Sequence, residues 1–503
     1  MPSLPKTLPR LCVALGFPTV AELNHAAERE YKDGTTFFEF RLDYLSDPPA
    51  ALDLIRKFRR VHPDTYILAT CRHKHARGRF SGALERQLSL LADSAEAGAL
   101  FVDLEIETAE KLKSAVNPVR DRALLIVSYH NFLSTPALDG IMRRLRRVPA
   151  DIYKIATTAR KPTDNLRVIE FIRQSDASSL VAMAMSEAGM ASRVLSPSLG
   201  CLFTYAAPTG DGGTAPGQIS AKTLRALYRP DKLTKQTRVY GVIADPVAHS
   251  KSPFVHNRGF QARRLDAVYL PFLVSPSHLS DWMNFAARLP VAGFSVTIPH
   301  KCKILRYLDT IEPLARRVGA VNTVWRKAGK WRGTNTDAEG VLKPLGRCLR
   351  LANSSVLIAG YGGAARAAAI ALHDARANIT ITGRNSAAAQ SLARVVKGEA
   401  LTLRQAQSRE FDVLVHATPV GMLPDVGESL FTERIPGEVV LDMVYNPHET
   451  LLLKRAKAQG RTVISGTEML LEQAASQFEI WTGETAPREV MRSALELHLH
   501  SSL

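Results

Sequence analysis

Lys154 and His130 are placed where an amine and an imidazole could act together. Lys154 lies in Tyr153-Lys154-Ile155-Ala156-Thr157, where strand alternation turns its side chain inward. An ammonium is costly to bury unless it is paired or neutral, and a neutral amine can attack a carbonyl. Taken alone, Lys154 reads as a surface lysine with a snorkelling stem. His130, in Ser128-Tyr129-His130-Asn131-Phe132, taken alone reads as a hydrogen-bonded core histidine. On adjacent strands they become a nucleophile and a general acid/base.

A second chemistry is written further on. Val356-Leu357-Ile358-Ala359-Gly360-Tyr361-Gly362-Gly363-Ala364-Ala365 is an apolar strand that ends in glycines and opens an alanine-rich helix. Such glycines let a pyrophosphate reach the backbone amides of a helix N-terminus. An isolated Gly-x-Gly-Gly is often only a tight turn, but between a strand and a helix it reads as a dinucleotide site. NAD sites carry an acidic residue about 20 positions on, for the ribose 2′-hydroxyl. Here the segment is Ile381-Thr382-Gly383-Arg384-Asn385-Ser386, without a carboxylate, and Arg384 suits a 2′-phosphate. NADP is the expected cofactor.

These groups need elements to hold them. Eight short apolar runs, at 11–15, 37–41, 66–71, 100–105, 124–129, 152–156, 180–184 and 202–206, alternate with helical patterns. That predicts a parallel (β/α)8 barrel, whose chemistry belongs at the C-terminal ends of the strands. Glu39, Arg41, Arg72, His130, Arg193 and Gln218 all fall at or just beyond such ends, and Lys154 lies on the sixth strand. The remainder reads as two α/β lobes, with strands at 240–244, 267–274, 294–298, 356–360, 379–382, 413–416 and 439–443. Helices near 468–481 and 488–497 close the chain. The expected domains are a barrel over 1–235, a substrate lobe over 236–340 completed by helices in 476–503, and a Rossmann-type dinucleotide lobe over 341–475.

Composition narrows the classes. With 46% hydrophobic and 22% charged residues, the 503-residue chain belongs with globular proteins of more than one domain. Its uncharged apolar stretches fall far short of the roughly 20 residues that span a bilayer. The first residues run directly into a strand, so no leader and a cytoplasmic location are expected. Cys12, Cys71, Cys201, Cys302 and Cys348 show no CxxC spacing, which suggests neither a metal site nor a disulfide framework. The net charge of +17 is spread along the chain, with only Arg143-Arg144-Leu145-Arg146-Arg147 dense. Small acidic metabolites are therefore expected as partners, and neither nucleic acid nor a membrane.

The segments around His130 and Lys154, together with Glu39-Phe40-Arg41-Leu42-Asp43, Ser192-Arg193 and Thr214-Ala215-Pro216-Gly217-Gln218, resemble the type I 3-dehydroquinate dehydratases across nearly all of residues 8–225. The resemblance implies that Lys154 forms an imine with the C3 ketone of 3-dehydroquinate while His130 moves protons as water leaves. It implies Arg193 for the substrate carboxylate, Glu39, Arg41 and Arg72 for positioning, and Thr214 and Gln218 on a closing loop. Two positions depart from that family: Ala76 stands where a glutamate is usual, and Thr214 where serine is.

Ser250-Lys251-Ser252-Pro253, Val296-Thr297-Ile298-Pro299-His300-Lys301, Gly319-Ala320-Val321-Asn322-Thr323 and Gly333-Thr334-Asn335-Thr336-Asp337 resemble the shikimate dehydrogenases over residues 238–500. This implies a catalytic pair, Lys301 and Asp337, in a pocket of Ser250, Ser252, Thr297, Asn322, Tyr445 and Gln473. Gly360, Gly362, Gly363, Ala364, Arg384, Thr418 and Gly466 would hold NADP. Ser295 stands where many bacterial relatives have asparagine, as in the fused plant enzymes. The two halves together imply successive dehydration and reduction. The alternatives are a quinate-preferring dehydrogenase with a degenerate or regulatory barrel, against which Ser252 speaks, and a class I aldolase, against which Ser192-Arg193 and the Gln218 loop speak.

Overall fold

Strand alternation decides what faces inward in the first half of the chain. In the computed structural model, which describes residues 2–210, 213–215 and 217–500, that half forms β1 (Leu11–Leu15), β2 (Phe37–Arg41), β3 (Tyr66–Thr70), β4 (Phe101–Glu105), β5 (Leu124–His130), β6 (Ile152–Thr158), β7 (Leu180–Met185) and β8 (Thr204–Ala206). Within the expected loop and C-terminal segment, Asp211, Gly212, Pro216 and residues 501–503 lie outside the described residues, as does Met1. Neighbouring strands pair in parallel in the order β7-β6-β5-β4-β3-β2-β1-β8. The expected barrel is present. β8 begins two residues later than expected, because its ladder with β1 starts at Thr204 while the Leu202 N–H donates to Leu180 O on β7 at 3.0 Å.

Along each strand the inward positions change character. Phe37, Leu68, Phe101, Leu124, Ile126, Ile152 and Phe203 pack into one buried apolar cluster. Two or four residues further along the same faces come Glu39, Thr70, Asp103, Ser128 and Lys154, all buried. Register sets Ser128 level with Lys154 and Thr70 level with Asp103. The apolar end stabilises the barrel by area removed from water, and the polar end carries what chemistry it has.

The second half adds β9 (Arg238–Ala244), β10 (Ala267–Leu273), β11 (Val291–Val296), β12 (Thr310–Ile311), β13 (Thr323–Lys327) and β14 (Lys330–Thr334). It continues with β15 (Ser355–Ala359), β16 (Asn378–Thr382), β17 (Glu399–Leu401), β18 (Phe411–His416), β19 (Gly437–Asp442) and β20 (Thr462–Ile464). The chain divides into two compact units, Met1–Arg238 with Asp266–Pro290, and Val239–Leu265 with Val291–Leu503. Within the second unit β9, β11, β13, β14 and β12 follow one another in one sheet, and β17-β16-β15-β18-β19-β20 form a parallel sheet. That second order is the doubly wound one of dinucleotide folds.

The β13–β14 hairpin was not expected from the sequence, since its exposed Arg326, Lys327 and Lys330 break up any apolar run. Its two-residue turn, Ala328-Gly329, has φ of 50° and 79°, as hairpin turns of the primed type require. β11 ends at Val296, earlier than expected, because the chain then turns so that the His300 N–H donates to Thr297 O at 2.8 Å. No helix among the described residues is long and apolar enough to cross a membrane.

In the first unit, helix Pro162–Gln174 receives its N-terminal cap from a distant residue. Asp281, on helix Leu279–Arg288, accepts the Thr163 N–H at 2.9 Å and the Thr163 hydroxyl at 2.6 Å. Asn165 on the capped helix accepts the Ser192 N–H at 3.0 Å and donates to Ala188 O at 2.6 Å, which seats the segment bearing Arg193. Replacing Asp281 by Ala should therefore cost roughly 0.5–2 kcal/mol, the range for lost caps. Denaturant unfolding followed by loss of barrel activity measures this, and an unchanged midpoint would show the cap contributes nothing.

Candidate active sites

The polar end of the barrel gathers the residues expected there around one cavity, lined by Glu39, Arg41, Arg72, His130, Lys154, Arg193, Thr214 and Gln218 among others. Lys154 takes the paired alternative for a buried amine. Its Nζ donates to Asp103 Oδ2 at 2.8 Å, lies 3.7 Å from Glu39 Oε1, and sits 4.2 Å from the centroid of the Tyr205 ring. Ser128 Oγ donates to Asp103 Oδ1 at 2.6 Å, and Thr70 Oγ1 to Glu39 Oε1 at 2.8 Å. Asp103 and Tyr205 were missed in the sequence, although the alternation Phe101-Asp103-Glu105 was the signal for the first.

Around this pair several buried polar atoms have no partner among the described residues: Arg72 Nε, His130 Nδ1, Arg193 Nε and the Tyr205 hydroxyl. Buried polar groups are ordinarily satisfied, so a ring of unsatisfied ones facing a cavity fits a polar ligand. Among the described residues Arg193 donates to Tyr205 O, at 3.2 Å, and to the Met183 sulfur, and burial brings its guanidinium down to about 10. Arg41 is instead held by Asp43 in a bidentate pair of 2.9 and 2.8 Å. Gln218 Oε1 accepts the N–H groups of Thr214 at 2.8 Å and Ala215 at 3.1 Å, which folds the loop onto its own side chain.

Ala76 lies in a short turn, Lys74–Ala76, and offers no carboxylate to the histidine. His130 stacks on Phe132 with centroids 6.0 Å apart, and the Arg77 guanidinium lies over the other ring at 5.3 Å. Burial, and then the cations Arg72, Lys154 and Arg41, hold the imidazole well below its ordinary range. His130 is therefore neutral and able to accept a proton.

In the second unit a cleft of about 500 Å³ is lined by Ser250, Ser252, Thr297, Lys301, Asn322, Asp337, Tyr445 and Gln473, with Ala364 and Gly466 at its border. Lys301 Nζ donates to Asp337 Oδ2 at 2.6 Å, and Asn322 Nδ2 donates to Asp337 Oδ1 at 2.8 Å and to Gln473 Oε1 at 3.0 Å. The backbone explains the meeting: the Val321 N–H donates to Lys301 O at 2.8 Å, and the Asn322 N–H to Thr334 O at 3.2 Å across the hairpin ends. Asp337 opens helix Asp337–Cys348 immediately beyond. Gln477 was missed. It follows Gln473 by one helical turn, takes a hydrogen bond from Ser295 Oγ at 2.9 Å and gives one to Thr323 Oγ1 at 3.0 Å.

The third sheet fits a dinucleotide. Gly360 has φ +128°, and a Cβ there would come within 2.6 Å of Ala417 O beside Thr418, so only glycine lets β15 turn so close to β18. At Gly362 and Gly363 a Cβ would meet nothing within 4 Å, which leaves open space at the N-terminus of helix Gly363–Asp374. Thr418 Oγ1 is 2.6 Å from His416 Nε2, whose Nδ1 is 2.8 Å from Asp442 Oδ1. Arg384 is exposed just after β16, where Thr382, Gly383 and Asn385 provide no carboxylate to repel a phosphate. The donor set suits NADP.

Known proteins resemble both units. Residues 11–235 match the type I 3-dehydroquinase family, residues 242–324 the shikimate dehydrogenase substrate binding domain and residues 466–496 the shikimate 5'-dehydrogenase C-terminal domain. The bifunctional 3-dehydroquinate dehydratase/shikimate dehydrogenase, chloroplastic, of Arabidopsis thaliana is 33% identical over 505 residues, covering 95% of this chain and 83% of that one. A shikimate dehydrogenase (NADP(+)) of Shouchella clausii is 39% identical, covering 52% of this chain and 99% of its own. The crystal structure of a shikimate dehydrogenase in complex with NADP+ superposes with a TM-score of 0.51 at 37% identity, covering 53% of this chain and 97% of that one. With two sites of matching design on one polypeptide, the chain belongs to the family of bifunctional 3-dehydroquinate dehydratase/shikimate dehydrogenases.

Proposed function

We propose that the barrel dehydrates 3-dehydroquinate to 3-dehydroshikimate and that the second unit reduces this product to shikimate with NADPH. One observation carries the first half: a paired lysine amine inside a barrel, ringed by buried polar atoms that lack partners among the described residues. In this reading Lys154 attacks the C3 ketone, and the resulting protonated imine draws electrons from the neighbouring C2–H bond. His130, neutral at the outset, takes the C2 proton and returns it to the C1 hydroxyl, which departs as water, and a second water hydrolyses the imine to free the product and the lysine. Arg193 binds the substrate carboxylate, Arg72 and Glu39 hold the ring hydroxyls, Arg41 braces that wall through Asp43, and Thr214 and Gln218 cover it.

In the second unit Lys301 carries the proton at the reacting oxygen, and Asp337, steadied by Asn322, orients the lysine and the hydroxyl. Ser250, Ser252, Thr297, Tyr445 and Gln473 bind the ring hydroxyls and carboxylate. Gly360, Gly362, Gly363, Ala364, Thr418 and Gly466 would cradle NADP and Arg384 its 2′-phosphate; when bound, the nicotinamide supplies the hydride. We assign residues 1–235 to the dehydratase, 236–340 with 476–503 to the substrate lobe, and 341–475 to the dinucleotide lobe, and we place the enzyme in the cytoplasm, where its five free cysteines stay reduced. A quinate-preferring dehydrogenase with a degenerate barrel is not favoured, because such a barrel has no use for Lys154 and its partners.

Given 3-dehydroquinate and NADPH, the protein should consume the cofactor and release shikimate. Lys301→Ala should accumulate 3-dehydroshikimate instead, with reduction slowed by about the 10²–10⁴-fold of lost acid/base catalysis. Chromatography of the products decides this, and a variant that only needs more substrate would mean that Lys301 binds without moving a proton.

The histidine makes a separate claim. A base whose proton affinity is lowered stays active to lower pH, so the acid limb of kcat/KM for dehydration should lie below the histidine value of about 6.5. A limb at or above that value, lost in His130→Ala, would show the imidazole begins protonated.

A further inference from the structure

Accepting Lys154 as the imine former leaves open what balances the charge on its nitrogen. Asp103 and Ser128 have no part in the steps above, yet both are buried and joined to it: Lys154 Nζ donates to Asp103 Oδ2 at 2.8 Å, and Ser128 Oγ to Asp103 Oδ1 at 2.6 Å. Glu39, the other carboxylate near the amine, is 3.7 Å away. Register fixes the arrangement, since Ser128 and Lys154 are partners across β5 and β6 while Asp103 projects from β4.

We propose that Asp103, held by Ser128, is the permanent counter-ion of the Lys154 nitrogen, pairing first with the ammonium and then with the protonated imine. The chemistry permits one partner to serve both. The amine attacks in its neutral form, so one ammonium proton leaves the nitrogen before the C–N bond forms and a second leaves it before the C–O bond breaks. The oxygen leaves as water with two of the three ammonium protons, and the nitrogen keeps one proton and its positive charge. Charge at the nitrogen is the same before and after, so a fixed carboxylate needs neither to move nor to exchange protons with solvent. Keeping the imine protonated is what makes it an electron sink.

The surroundings make that carboxylate necessary. The pair is faced by Cys12 from β1, Glu39 from β2, Arg72 just beyond β3, His130 from β5 and Tyr205 from β8. Burial raises Asp103, but Lys154, Arg72 and the bonds from Lys154 and Ser128 outweigh it, so its carboxyl is held below the usual range. Asp103 acts through Lys154 and is a positioning residue.

Asp103→Asn tests this, because it keeps shape and hydrogen bonding and removes the charge. In the full-length protein kcat for dehydration should fall by about 10²-fold, as when one preorganised electrostatic partner is lost, with KM nearly unchanged. Borohydride trapping of 3-dehydroquinate should stay level from mildly acid to mildly alkaline pH in the wild type and fall with rising pH in the variant. Shikimate oxidation by the same chains reports that the protein is folded. Ser128→Ala, which keeps the charge and loses one hydrogen bond, should show a smaller loss of kcat in the same direction. Wild-type kcat and trapping in Asp103→Asn, or a change in KM alone, would overturn the proposal. Absence of trapping in an active wild type would remove the imine reading and the counter-ion with it.

Discussion

A lysine amine inside the barrel sets the terms for what surrounds it. An isolated ammonium in such a place is prohibitively costly, and a paired one is tolerated only when its partner is itself hydrogen bonded. Lys154 meets this condition through Asp103, and Asp103 through Ser128. The pair sits above an apolar layer of phenylalanine, leucine and isoleucine, so the barrel's stability and its chemistry occupy different depths of the same strands. At the rim, Arg72 Nε, Arg193 Nε and His130 Nδ1 are left without a partner among the described residues, an arrangement that fits a polar ligand.

The second unit solves the same problem with a different scaffold. Lys301 is less buried than Lys154, and its aspartate is secured by an asparagine that also holds Gln473. A hairpin and a helix start bring these residues together from sequence positions more than 30 residues apart, and Gln477 joins the network to Ser295. Ala364, in the first turn of the helix that the glycine turn opens, also lines the cleft, so a nicotinamide and a ring alcohol could share one space. In each unit a lysine amine is held by a carboxylate that is itself hydrogen bonded.

Much of this was legible in the sequence, and the reasons differ by element. The eight barrel strands were readable because a fully enclosed strand is a short apolar run, and Lys154 stood out as a charge within one. The hairpin of β13 and β14 was not, because its tip is charged and solvent-facing and its register comes from an Ala-Gly turn. β17 and β20, three residues each, are too short to show a period. Of the residues that line the two cavities or bond to those that do, Lys154, His130, Lys301 and Asp337 were expected there from motif and position, whereas Asp103 and Gln477 were not. Their roles come from contacts across strands and helices, and such pairings appear only when register is known. Ala76 was visible as a departure, whereas the cations around His130 emerged only from the three-dimensional arrangement.

The central claim is that a single barrel lysine carries the dehydration, and covalent trapping addresses it most directly. Wild-type protein and Lys154→Ala would each be mixed with 3-dehydroquinate, reduced with borohydride and digested for mass spectrometry. The wild type should carry one reduced substrate adduct, on the peptide that contains Lys154. The variant should carry none while still oxidising shikimate at the wild-type rate. An adduct on the variant, or an unmodified Lys154 in wild-type protein that dehydrates its substrate, would contradict the claim.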